Sequence, residues 1–122
     1  MHAKSISIRP FIGAEDFDLT RAFYHDLGFE ESVINDRMSL FRINERLGFY
    51  LQRYYVKDWV DNSMIFVEVP DVQEYYLELK ELCLPEKYPG VRLSKIVEDY
   101  WGWECFLHDP SGVLWHFGTF RK

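Results

Sequence analysis

The sequence predicts an α+β fold built from two βαβββ modules that share one sheet system. Three observations carry this expectation. Segments of period-2 alternation and of helical periodicity follow one another in the same order twice. The sequence DPSG sits between two apolar runs near the C-terminus, as a hairpin turn does. At 122 residues the chain has the length of one domain with one core.

In KSISIRPFI the isoleucines Ile6, Ile8 and Ile12 share one face and Ser5, Ser7, Arg9 and Phe11 the other, the pattern of a half-buried strand. In DFDLTRAFYHDLGF, Leu19, Phe23 and Leu27 repeat every four residues, with Asp16 placed as an N-cap and Gly28 as the stop. EESVIN, RMSLFRIN and RLGFYLQRYY then read as strands. The pairs Asn35-Asp36 and Asn44-Glu45 supply turns between them.

The order then restarts. SMIFVEV alternates, with Ile65, Val67 and Val69 against Met64, Phe66 and Glu68. DVQEYYLELKELCL is a helix with capping-box spacing at Asp71 and Glu74 and an apolar stripe of Val72, Tyr75, Tyr76 and Leu79. Pro85 and Pro89-Gly90 end it. VRLSKIVEDYW, WECFLHD and GVLWHFG are the last strands. The halves are 1–60 and 61–122 of a single domain 1–122, joined by the short linker VKDWVDN. In DPSG, Asp109 at i, Pro110 at i+1 and Gly112 at i+3 suit a type I turn. That register puts Leu114, His116 and Gly118 on one face and Val113, Trp115 and Phe117 on the other.

The net charge of −6 argues against non-specific nucleic-acid binding. No apolar stretch reaches membrane-spanning length, so neither membrane nor nucleic acid is an expected partner, and the cytoplasm is the expected location. Cys83 and Cys105 have no metal-site spacing and read as free, mostly buried thiols. Aromatic residues make up 18% of the chain, more than a small core easily hides, which leaves a groove, an interface or an aromatic core to take them.

FYHDLGF (23–29) together with DPSGVLWHFG (109–118) resembles the vicinal oxygen chelate superfamily of glyoxalases, bleomycin-resistance proteins and extradiol dioxygenases. WGWECFLHDPSGVLWHF is most similar to the bleomycin-resistance branch. The resemblance spans nearly the whole chain and implies cupped mixed sheets around a cavity, with the helices on the outside. It implies ligand positions on the first and last strands of each half, at Arg9, Tyr50 (or Gln52), Met64 and His116. A permanently charged Arg and a soft Met are poor partners for a hard divalent ion, and a lone imidazole is too few. The expectation is therefore no metal, no cofactor and no assigned catalytic residue, although His116 with Gln52, Glu68 or Glu104 keeps a residual metal site open.

The favoured reading is a metal-free binding protein, an antibiotic-sequestering homodimer holding an aromatic, possibly cationic small molecule in a groove. Its expected lining is Arg9, Tyr50, Gln52, Met64, Phe66, Trp101, Trp103, Glu104, Phe106 and His116. Glu98, Asp99 and Glu104 are placed to meet ligand amines, and Trp59 to close the far end. Arg9 either contacts ligand or pairs internally with Glu68 or Glu104. The alternative is a metal-dependent enzyme of glyoxalase or dioxygenase type with an atypical ligand set.

Overall fold

The computed structural model describes residues 4–122. The first half runs β1 (Phe11–Gly13), α1 (Phe17–Leu27), β2 (Glu30–Asn35), β3 (Met38–Arg42) and β4 (Gly48–Gln52). A short helix, α2 (Lys57–Asp61), leads into β5 (Met64–Glu68), α3 (Val72–Glu81), α4 (Leu84–Lys87), β6 (Arg92–Leu93), β7 (Val97–Asp99), β8 (Gly102–His108) and β9 (Leu114–Phe120). The sheets are ordered β1-β4-β3-β2 and β5-β9-β8-β6, with β7 also on β8. In each, the first strand of the half lies parallel to the last and the remaining pairings are antiparallel. The duplication read from the alternation is thus a duplication of topology.

Local chemistry places the helices as expected. Asp16 accepts from the Leu19 amide, and Gly28 closes α1 at φ 103°, a left-handed conformation open to glycine. Asp71 accepts from the Gln73 and Glu74 amides at the start of α3. The buried face of α1 is Phe17, Thr20, Phe23, Tyr24 and Leu27, one step round from the expected stripe, with Leu19 only partly covered. The helix α2 was hidden within VKDWVDN, because five residues are too few to display a helical period. The single strand expected over VRLSKIVEDYW is broken into β6 and β7, and Ser94 bridges the break by exchanging bonds with the Phe106 backbone.

One core joins the halves. Trp115, on the helix side of β9, meets Tyr24, Phe29 and Phe49 at ring separations of 5.8, 5.7 and 5.3 Å. Burying each such side chain stabilises by about 1.5–3 kcal/mol. A polar knot sits inside it. The Tyr24 hydroxyl donates to Asp109 Oδ2 at 2.6 Å and accepts from Trp115 Nε1 at 2.9 Å. Asp109 Oδ1 accepts from the amides of Ser111, Gly112 and Val113. One tyrosine of FY thus ties α1 to the DPSG turn. Burial pushes the Tyr24 hydroxyl well up, which keeps it a donor at neutral pH, and raises the Asp109 carboxyl against the opposing pull of its bonds from Tyr24 and the Val113, Ser111 and Gly112 amides.

A second clasp holds α1 to the first sheet. Glu31 accepts from Arg21 at 2.7 Å and from Ser39, and meets His25 Nε2 at 2.7 Å. Burial alone would raise its pKa. The hydrogen bonds from Arg21, Ser39 and His25 overcome that and hold it at about 2.

Two expectations are corrected. The N-terminal strand does not extend back to Lys4: regular pairing begins at Phe11, Ile12 is buried, and Ile6 and Ile8 are each 91% exposed. The segment is held to β4 by the bond from the Tyr50 amide to the Pro10 carbonyl and by the Arg9 side chain on the Tyr50 hydroxyl. Cys83 is exposed rather than buried, standing at φ 54° where α3 gives way to α4; only Cys105 lies in the core.

Candidate functional site

The helices cover one face of each sheet, and the functional side chains stand on the other. On the second sheet the register aligns Phe66 with His116 and His116 with Phe106, and Glu104 with Gly118. Alternation then brings Met64, Phe66, Glu68, Glu104, Phe106, Leu114, His116, Gly118 and Phe120 to a single face. An open groove of about 450 Å³ lies there, lined by Phe66, Tyr100, Trp101, Glu104, His116 and Phe120.

Phe66, Trp101 and Phe120 form an aromatic triangle with centroid separations of 5.7, 5.6 and 5.3 Å. Gly118 makes it possible: a Cβ there would come within 2.8 Å of the Phe66 ring and 3.2 Å of Trp101. Beside the triangle His116 is fixed on three sides. Its Nδ1 lies 2.9 Å from Glu104 Oε1, Phe106 packs edge-on at 4.9 Å, and Nε2 faces Met64 Sδ at 3.4 Å. Glu104 and His116 are mostly covered, at 14% and 20% side-chain exposure.

On the first sheet Arg9 Nη1 donates to the Tyr50 hydroxyl at 3.1 Å, and Phe11 stacks on Tyr50 at 4.8 Å. Gln52 shares that face, aligned with Gly13 and Met38. Trp59 closes its end, lying over Gly13 where a Cβ would meet the ring at 2.7 Å. Arg9 thus bonds Tyr50, not Glu68 or Glu104. None of Arg9, Tyr50 or Gln52 lines the His116 groove.

Trp103 is the one expected lining residue that turns away. It alternates with Glu104 onto the helix side, packs against the core, and carries the Arg121 guanidinium 4.5 Å over its ring. Trp101 shares its parity but precedes β8, which begins at Gly102, and so escapes the alternation and stands on the groove side. Glu98 is engaged by Arg121 at 2.8 Å. Phe120 is a lining residue that sequence reasoning passed over, although it continues the alternation Leu114, His116, Gly118. Below the site, burial, with Glu104 nearby, pushes the Cys105 thiol up to about 11, which makes it a packing group rather than a nucleophile.

The fold of this description is shared widely. The chain superimposes on a bleomycin-binding protein solved in complex with bleomycin with a TM-score of 0.75, covering 96% of this chain and 100% of that one at 22% identity. It is similar to the bleomycin-binding protein of Streptomyces verticillus (TM-score 0.72, 21% identity, 98% and 99% covered). It also resembles a lactoylglutathione lyase from Agrobacterium tumefaciens (TM-score 0.70, 16% identity, 94% of each chain covered). This chain has the vicinal oxygen chelate fold. No family model matches it, and neither does any curated protein.

The vicinal oxygen chelate fold is also where a divalent metal would be sought. The residues present do not suit one. Arg9 and Tyr50 are bonded to each other, Met64 offers only a thioether, and His116 has one nitrogen engaged by Glu104. Among the described residues no three of His, Cys, Asp and Glu converge as a metal-binding group. Nor, among them, is any helix long and apolar enough to cross a membrane.

Proposed function

We propose that this chain binds an aromatic, cationic small molecule on the Phe66–Trp101–Phe120 shelf without a metal, and sequesters it in a groove completed by a second copy. The shelf itself carries the reading. Three aromatic rings open to solvent beside a covered carboxylate–imidazole pair are an expensive surface to leave exposed, and they suit a flat ring system by stacking and cation–π contact. Bleomycin-binding proteins among the structural neighbours support a ligand of this kind.

The case for a second copy rests on what is left half-made. Arg9, Phe11 and Tyr50 occupy one exposed sheet face and Glu104 and His116 another, so each chain offers two half-sites. Ser63 accepts from Leu114 and Val69 donates to Gly118, so the odd residues of β5 bond β9. Alternation directs the backbone of Met64, Phe66 and Glu68 to the open edge of the sheet. An apolar groove of about 490 Å³, lined by Ile65, Val67 and Trp115 and bordered by this chain's own Ile8 and Pro10, runs beside that edge. Ile6 and Ile8, exposed on an extended arm, are suited to pair there from a partner.

Tryptophan fluorescence titration with a bleomycin-type bithiazole tests binding. Trp101→Ala is expected to weaken it by about 1–3 kcal/mol, the range for a lost aromatic stack, while Trp103→Ala leaves affinity unchanged. Equal effects from both would reject the shelf. Sedimentation of Ile6→Lys/Ile8→Lys is expected to yield a monomer where the parent chain is a dimer; a parent chain that is monomeric at micromolar concentration rejects the shared groove.

A further inference from the structure

We infer that the Glu104–His116 pair, with its imidazole neutral, makes the groove selective for ring systems that present an N–H donor at their edge, because the ring proton then faces Glu104 and Nε2 is left as a hydrogen-bond acceptor. The inference rests on the groove being a binding site and names the chemistry that site reads.

The argument starts from what each neighbour can give. The Glu104 carboxylate can only accept, and its Oε1 is 2.9 Å from Nδ1, so the ring proton of the neutral imidazole is held at Nδ1. That leaves the lone pair on Nε2. The neighbour of Nε2 is Met64 Sδ at 3.4 Å, a thioether, which also has no proton to give. In the neutral form two acceptors therefore face each other at the edge of the groove, whereas an imidazolium would donate Nε2–H to Met64 Sδ and reverse the preference.

The ring is not free to turn away from this arrangement. Phe106 stands edge-on at 4.9 Å and Phe66 lies at 6.3 Å, while Glu104 anchors the opposite nitrogen. Met64 is the yielding member: it is 67% exposed, so an incoming donor displaces an unbranched side chain rather than a packed one. Phe66 belongs both to the wall of His116 and to the aromatic triangle. A flat ligand stacked on that triangle consequently brings its edge toward Nε2. The class that satisfies both surfaces is a heteroaromatic amine, with a planar ring for Phe66, Trp101 and Phe120 and an exocyclic N–H for His116. A ring of the same shape and charge with its edge nitrogen fully alkylated stacks equally well and leaves the acceptor unanswered.

Two permanent cations separate the donor from charge and from ring stacking: 6-amino-1-methylquinolinium and 6-(dimethylamino)-1-methylquinolinium. Fluorescence titration of the full chain is expected to show the amino probe binding about tenfold more tightly, the worth of one hydrogen bond in a sheltered site. In His116→Phe, which keeps an aromatic ring but removes the acceptor, that preference is expected to vanish. In Glu104→Gln, whose amide N–H can donate to Nδ1 and return the proton to Nε2, it is expected to shrink. Equal affinity of the two probes for the parent chain overturns the inference alone, as does a preference that survives in both variants. Failure of either probe to bind overturns the groove as a binding site, and the inference with it.

Discussion

Replacing Tyr24 by Phe removes one oxygen from the centre of the molecule and tests whether the helix–hairpin tie governs stability. The ring and its packing against Phe49 and Trp115 are retained. What is lost is a donor to Asp109 Oδ2 and an acceptor for Trp115 Nε1, both fully buried. A hydrogen bond to a charged group contributes about 1.5–3 kcal/mol, and an orphaned buried donor costs about 1–3 kcal/mol. Asp109 keeps its three backbone donors, which limits the damage on that side. The expected loss is about 3 kcal/mol. For a chain of 122 residues this corresponds to a fall in Tm of about 10 °C, and to a lower urea midpoint by about 2 M at a slope of roughly 1.5 kcal/mol/M. Urea denaturation followed by tryptophan fluorescence and by far-UV circular dichroism reads it, with the slope unchanged. A loss below 1 kcal/mol would mean that water or a shifted side chain answers Asp109 and Trp115, and that the two motifs are not energetically joined.

Other outcomes follow from single features. Glu31, held at about 2 against a usual 4.5, contributes stability that is fully present above pH 4.5 and is lost as the pH falls from 4.5 toward 2. Glu31→Gln is therefore expected to cost up to about 3 kcal/mol at pH 7 and almost nothing near pH 2, and a pH-independent difference in urea titrations would contradict this. Gly118→Ala pushes a methyl into Phe66 and Trp101, so it should weaken probe binding several-fold with a far smaller change in thermal midpoint. A variant that binds as the parent does would remove the triangle from the site. Calorimetry of the chelator-stripped chain with Zn²⁺, Ni²⁺, Mn²⁺ and Fe²⁺ is expected to show no stoichiometric binding, and Arg9→His/Met64→His to gain affinity. Micromolar binding by the parent chain would restore the metal-dependent enzyme reading.

Most secondary structure could be read from the chain because it is written locally. Asp16, Asp71 and Gly28 mark helix ends through bonds to residues at most a few positions away. The alternation in β5 and β9 sorts Ile65 and Trp115 from Phe66 and His116 wherever the strands end up. Parity also placed Glu104 and His116 on one face before their bond was known. The same parity turns Trp103 to the helix side, opposite Glu104, whereas the place of Trp101 depends on β8 starting only at Gly102.

The sequence alone therefore determined the repeated βαβββ order, the turn at Asp109 and the helix caps. All of these depend on residue type and near-neighbour spacing. Tertiary structure alone decided that Tyr24 ties α1 to Asp109 and Trp115, that Gly118 clears the space for the aromatic triangle, and that Arg9 bonds Tyr50 instead of an acidic partner. It also decided that Ile6 and Ile8 are left bare. These contacts join residues some forty to ninety positions apart, or depend on which strand edge remains free, and no local pattern encodes either. A strand's alternation states which side chains share a face, whereas the packing of the sheets states whether that face is covered.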